Sequence, residues 1–121
     1  MNIYTVALAT RLKRRVFAAG GIPPFFEKNI TVVFSGNGIT LKSIRFLDYG
    51  VVMEIGSDEE LERGRISNLI RRGTSSLIRN EFSELMALPS LWTRQIYFEK
   101  GCLDDEKEAC IKAFYDSLRT R

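Results

Sequence analysis

The chain predicts an α+β fold: an antiparallel sheet backed by helices, in one unit spanning residues 1–121. Three observations carry that expectation. β-prone and helix-periodic segments follow one another in the order strand, helix, strand, strand, helix, strand, helix. Only a short turn separates the two middle strands, which marks an antiparallel pair. Hydrophobic residues make up 45% of the 121, enough for a packed core and too many for a disordered chain.

Residues Ile3–Thr10 are β-branched and apolar on both faces and read as a buried strand. Gly20-Gly21-Ile22-Pro23-Pro24 is a loop leading into a helix, because proline suits a first helical turn. Pro24–Phe34 then carries Phe25, Phe26, Ile30, Val33 and Phe34 at helical spacing, and Ser35-Gly36-Asn37-Gly38 ends the run with a glycine for the left-handed cap. In Ile39–Leu47, Ile39, Leu41 and Ser43 alternate with Thr40 and Lys42, followed by Ile44 and Phe46, which reads as a strand. Asp48-Tyr49-Gly50 is a turn and Val51–Ile55 the return strand.

Ser57-Asp58-Glu59-Glu60 has the spacing of a capping box and predicts a helix start, with the helix running to about Phe82. Its apolar face is Ile66, Leu69, Ile70, Gly73 and Leu77; its polar face is Arg65, Asn68, Arg72, Ser75, Ser76 and Arg79. Leu85–Ser90 is a connection broken by Pro89, and Leu91–Lys100 an aromatic strand. Asp104–Arg121 is a last helix, acidic in its first turn, with Arg119 and Arg121 at its end to complement the dipole.

Charge supplies the functional clue. The net charge is only +3, but the cations are grouped: Arg11, Lys13, Arg14 and Arg15 form one knot, and Arg63, Arg65, Arg71, Arg72 and Arg79 a second. Such grouping suits a polyanion. Guanidinium forks beside the hydroxyls of Ser75 and Ser76 are phosphate-holding groups, and a solvated charged helix face is the alternative. Two cysteines, Cys102 and Cys110, are too few for a disulfide framework, so they are expected to be reduced and structural. No signal peptide or spanning segment stands out, so the expected compartment is the cytoplasm and no membrane contact is expected.

Three local patterns resemble the single-tyrosine HUH transposases, a family that includes the repeat-associated tyrosine transposases. They are Ile3–Thr10 followed by Arg14-Arg15-Val16-Phe17; Arg72-Gly73-Thr74-Ser75-Ser76 followed by Ile78 and Glu81-Phe82; and Leu91-Trp92-Thr93-Arg94 followed by Tyr97-Phe98. The resemblance covers almost the whole chain. It implies a ferredoxin-like sheet, a homodimer, and DNA-hairpin contacts in the basic segments.

The chemistry is where the chain departs from that family. The family sets Asp-His-hydrophobe-His on a central strand, both imidazoles on one face to bind a divalent metal. This chain contains no histidine, and the matching segment is Asp48-Tyr49-Gly50-Val51, so Tyr49 and Val51 occupy the ligand positions. Neither is a useful ligand at neutral pH. The family's nucleophilic tyrosine on the last helix is matched by Phe114, with Leu118 where a further ligand is expected. Tyr115 lies about 100° around the helix, turned away from that position; if Tyr115 is the match instead, Arg119 replaces the ligand.

The resulting expectation is a transposase-like protein without catalytic residues, metal or cofactor. It would bind a DNA hairpin or single strand through Arg11, Lys13, Arg14, Arg15, Arg65, Arg72, Ser75, Ser76, Arg79 and Arg94. It would serve as a regulator, an inhibitor or a remnant of a mobile element. Two readings from other classes stand beside it. One is an active transposase with Asp48 and Glu54 as metal-holding carboxylates and Tyr115 as nucleophile. The other is a protein-interaction module whose arginines only solvate the surface. Trp92, Tyr97 and Phe98 can stack on bases or fill the core.

Overall fold

The computed structural model describes residues 1–18, 20–82 and 91–118, without the side chains of Ser76, Leu77, Arg79 and Glu81. The expected connection at Leu85–Ser90, the helix end at Arg119 and Arg121, and the placement of Leu77 lie outside the described residues. Four strands form one antiparallel sheet: β1 (Asn2–Thr10), β2 (Ile39–Leu47), β3 (Gly50–Ser57) and β4 (Trp92–Lys100), in the spatial order β2-β3-β1-β4. The helices are α1 (Ile22–Ser35), α2 (Arg63–Glu81) and α3 (Asp105–Ser117). This is the expected α+β architecture, with the strand order of a ferredoxin-like split βαβ fold.

β1 is apolar on both faces because it is central and covered on both sides. Tyr4, Val6 and Leu8 join Val51, Met53 and Ile55 of β3 beneath α1 and α2, which contribute Phe26, Ile30, Phe34, Ile66, Ile70 and Ile78. On the opposite face Ala7, Ala9 and Val52 pack against Ile111 and Tyr115 of α3. Small residues on that face let a single helix lie close. Between α1 and α2 the spacing is set by Gly73, where a Cβ would stand 2.8 Å from Val33 Cγ2.

The hairpin forms as expected, with Leu47 paired to Gly50 around Asp48 and Tyr49. The change of alternation near Lys42 has a physical counterpart: the β2–β3 register shifts between Leu41 and Ser43, and such a bulge reverses which residues face inward. At the end of α1 it is Gly38, at φ +73°, that takes the left-handed conformation. α3 is capped by Asp104, whose carboxylate accepts from the Lys107 backbone N–H at 2.8 Å.

One helix boundary is corrected. Ser57 does not cap α2, which begins at Arg63 behind Glu62. Ser57 is instead the last residue of β3, paired with Asn2 and Ile39, and its hydroxyl accepts from the Glu59 N–H. The chain first runs on past the end of β3, where the buried Leu61 donates its N–H to the Tyr4 hydroxyl at 2.9 Å. A local capping signal thus yields to strand pairing.

Candidate nucleic-acid interface

At the carboxyl end of β1 the surface sinks into a concavity of about 740 Å³, walled by α2, the start of β4 and the end of α3. Arg11, Arg71, Arg72 and Arg94 line it, together with Thr10, Ser75, Thr93, Gln95 and Ser117, over Leu12, Leu91, Trp92 and Leu118. No carboxylate is among these lining residues. Four arginines from three separate stretches of sequence therefore line one cleft, with no anionic neighbour among the described lining residues. Field lines converge in such a cleft, and a polyanion is the complementary ligand.

Local geometry places each wall. The Arg11 N–H donates to the Leu91 carbonyl at 3.0 Å, tying the exit of β1 to the entry of β4. Residues 11–14 then turn tightly, with the Arg14 N–H on the Arg11 carbonyl and left-handed φ of 57° at Leu12 and 53° at Lys13. Two such residues without glycine or asparagine make a costly turn. The Thr10 hydroxyl helps hold it by donating to the Arg14 carbonyl at 2.6 Å. Arg71 reaches from α2 to the carbonyls of Thr93, at 2.9 Å, and Arg94. It is thus partly a structural clamp, although its Nε has no partner among the described residues.

Of the residues expected to touch nucleic acid, Arg11, Arg72, Ser75 and Arg94 are brought together here. Arg65 is not: it lies on a neighbouring groove of about 530 Å³ with Val33, Asn68, Leu69 and Gly73, which Arg72 also lines, and it donates to the Asn37 carbonyl at 3.4 Å. Lys13 sits over the Tyr49 ring at 5.5 Å, Arg14 is exposed, and Arg15 grips Asp48 at 2.9 Å. The side chains of Ser76 and Arg79 lie outside the described residues. Arg71, Thr93 and Gln95 were absent from the expected set. Arg71 belonged to the second basic cluster, whereas nothing in the strand pattern around Thr93 and Gln95 singled them out.

The aromatic residues of β4 serve the core rather than the surface. Trp92 lies 5.8 Å from the Phe17 ring and 5.6 Å from Phe26, with its indole N–H donated to Thr74 Oγ1. Phe98 stacks on Tyr4 at 5.0 Å, and Tyr97 packs beside Phe114. Burial pushes the Tyr97 phenol up to about 12.

The face under α3 is where the family's metal chemistry would be sought, and two expectations are corrected there. Tyr49 and Val51 do not share a face: Val51 belongs to the core beneath α1 and α2, while Tyr49, in the turn, packs on the α3 side. The residues that β3 turns toward α3 are Gly50, Val52 and Glu54. Nor does Tyr115 turn away from the sheet. It is 3% exposed, and its hydroxyl reaches the carbonyls of Leu8 at 2.8 Å and Val51 at 3.2 Å, with Tyr49 edge-on at 5.5 Å. A Cβ on Gly50 would stand 2.8 Å from that hydroxyl, so the glycine makes room for the phenol. Burial first, then the nearby Tyr49, pushes the Tyr115 phenol well above its ordinary value.

These residues do not fit a metal. Asp48 is paired with Arg15, whereas Glu54 accepts from the Ser43 hydroxyl at 2.7 Å and the Leu103 N–H at 2.9 Å. Those two bonds, the hydroxyl foremost, hold the Glu54 carboxyl below the usual carboxylate range. Among the described residues no three His, Cys, Asp or Glu side chains group to hold an ion. Cys102 and Cys110 are both exposed free thiols rather than core residues. No described helix is long and apolar enough to cross a membrane.

No family model and no curated protein matches the chain by sequence. Solved structures do match by shape. One is a crystal structure of a Deinococcus radiodurans protein assigned as a transposase. It is 12% identical, with a TM-score of 0.87 over 100% of this chain and 94% of that one. Another is a REP-associated tyrosine transposase bound to a REP hairpin. It is 10% identical, with a TM-score of 0.54 over 94% of this chain and 64% of that one. The chain has the fold of these two transposase structures.

Proposed function

We propose that this chain binds hairpin or single-stranded DNA through the arginine-lined concavity and does not cut it. The observation that carries the reading is the convergence of Arg11, Arg71, Arg72 and Arg94 on one cleft, with no carboxylate among its described lining residues. A phosphodiester backbone supplies the repeated anionic acceptors that such forks hold. The neighbouring structure bound to a REP hairpin supports the choice of ligand. Loss of cleavage is supported by a phenol buried against two carbonyls and by Gly50 and Val52 facing α3, because neither an exposed nucleophile nor a set of metal donors is present there. The unit would act as a homodimer in the cytoplasm, as a regulator, an inhibitor or a remnant of a mobile element.

The test is affinity for hairpin and single-stranded DNA across a salt series. The slope should be steep, since each neutralised phosphate releases counterions. Arg72→Ala combined with Arg94→Ala should make it shallower by roughly one unit per lost contact. Binding that is absent or independent of salt would leave a protein-interaction module. A denaturation-resistant DNA adduct, formed with magnesium or manganese and abolished by Tyr115→Phe, would make the protein a working enzyme.

A further inference from the structure

The start of β4 breaks the rule of its own secondary structure. A regular strand sends successive side chains to opposite faces. Here three consecutive residues, Thr93, Arg94 and Gln95, all line the concavity. The cause lies in the pairing with β1: Leu8 faces Ile96 and Thr10 faces Trp92, so the three intervening β4 residues stand opposite Ala9 alone. A bulge of this kind re-aims side chains. Arg71 stabilises it by donating to the carbonyls of Thr93 and Arg94.

The bulge also fixes one amide. The Thr93 hydroxyl donates to Gln95 Oε1 at 2.6 Å, although Gln95 itself is exposed. With one lone pair of its carbonyl oxygen held, the amide of this lining residue keeps two Nε2 donors and a second Oε1 lone pair for a ligand. The arginines around it only donate. The hydroxyls of Thr10 and Ser117 are committed to the carbonyls of Arg14 and Phe114. Gln95 thus supplies what phosphate contacts do not use: a donor beside an acceptor in one plane. Adenine offers the complement, an N7 acceptor beside an N6 donor, and a bidentate amide–adenine pair is an established base contact.

We infer that Gln95, oriented by Thr93 on the Arg71-clamped bulge, is a base-reading residue of the concavity and selects adenine. This rests on the DNA-binding reading above. The arginines grip phosphate whatever the sequence, and Gln95 adds the preference.

The experiment measures binding of the whole chain to short unstructured strands of deoxyadenosine, deoxycytidine or thymidine at matched salt. The deoxyadenosine strand should bind roughly tenfold more tightly. Gln95→Ala should level the three while leaving the salt slope and melting temperature unchanged, because an exposed amide carries no phosphate contact and little stability. Thr93→Val should weaken the preference by freeing the amide, and Gln95→Glu should turn it toward deoxycytidine, whose N4 donates to a carboxylate. Equal affinity of the native chain for all three strands, or an adenine preference that survives Gln95→Ala, would overturn the inference. Failure of every strand to bind, and of a DNA hairpin measured beside them, would overturn the DNA-binding reading itself.

Discussion

Tyr115 shows how one buried hydroxyl can tie a helix to a sheet. Its phenol anchors α3 to the carbonyls of Leu8 and Val51, over the space left by Gly50. Tyr115→Phe should therefore cost about 1–2 kcal/mol, the usual consequence of leaving buried acceptors without their donor. Urea unfolding checks this, and DNA affinity should be unchanged. The phenol also predicts alkaline sensitivity. Its folded-state pKa is raised above the ordinary 10.0, so its stabilising effect is complete below pH 10 and fades as the pH climbs further and the unfolded chain ionises first. In Tyr115→Phe that part of the alkaline loss should vanish; an unchanged profile would assign it to other groups. The position was legible as a tyrosine on the last helix, but its direction was not. An angular offset along a helix says nothing of how the helix is rotated on the sheet.

The helices and strands illustrate which signals survive folding. The alternation of β2, including its change of phase near Lys42, could be read directly because it is repeated over several residues. The stripe of α2 was read only in part: Ile66 and Ile70 are buried as expected, but so are Thr74 and Ile78, which lay outside the expected face. The capping box at Ser57 misled because it is a single local signal, overridden by pairing of Ser57 with Asn2 and Ile39. Gly73 was placed on the apolar face, and its role follows from contact with Val33 of α1. Gly73→Ala should force the helices apart and destabilise by about 1–3 kcal/mol. In a Val33→Ala background the added methyl has space, so the cost should be smaller; additive costs would show that the helices do not meet there. The anchoring of α3 also predicts acid sensitivity. Glu54 bonds the Leu103 N–H just before that helix and is held below its ordinary 4.5. Its contribution is present above pH 4.5 and lost as the pH falls through the lower folded value. Glu54→Gln should flatten the acid limb of the stability profile.

At the scale of the molecule, the arginine-lined cleft was legible as a set of cations but not as a place. Arg11, Arg72 and Arg94 are scattered in sequence, and only the adjacency of β1 and β4 beside α2 makes them neighbours. Thr93 and Gln95 enter through a register shift that no local pattern announces, since a bulge depends on both paired strands. The absence of histidine was the most direct signal in the chain, because it constrains the chemistry whatever the register. It leads to a prediction for the whole protein. A metal that binds only the folded state stabilises it by RT ln(1 + [L]/Kd), about 2.7 kcal/mol at a hundredfold excess over Kd. The α3 face of β3 presents Gly50, Val52 and a Glu54 already bonded to Ser43 and Leu103, a poor donor set for any divalent ion. The melting temperature should therefore be the same in EDTA as in millimolar manganese, zinc or magnesium, and DNA affinity should respond to these ions only as it does to ionic strength. A rise of several degrees with one ion, abolished by Glu54→Gln, would show that this carboxylate holds a metal after all and reopen the case for catalysis.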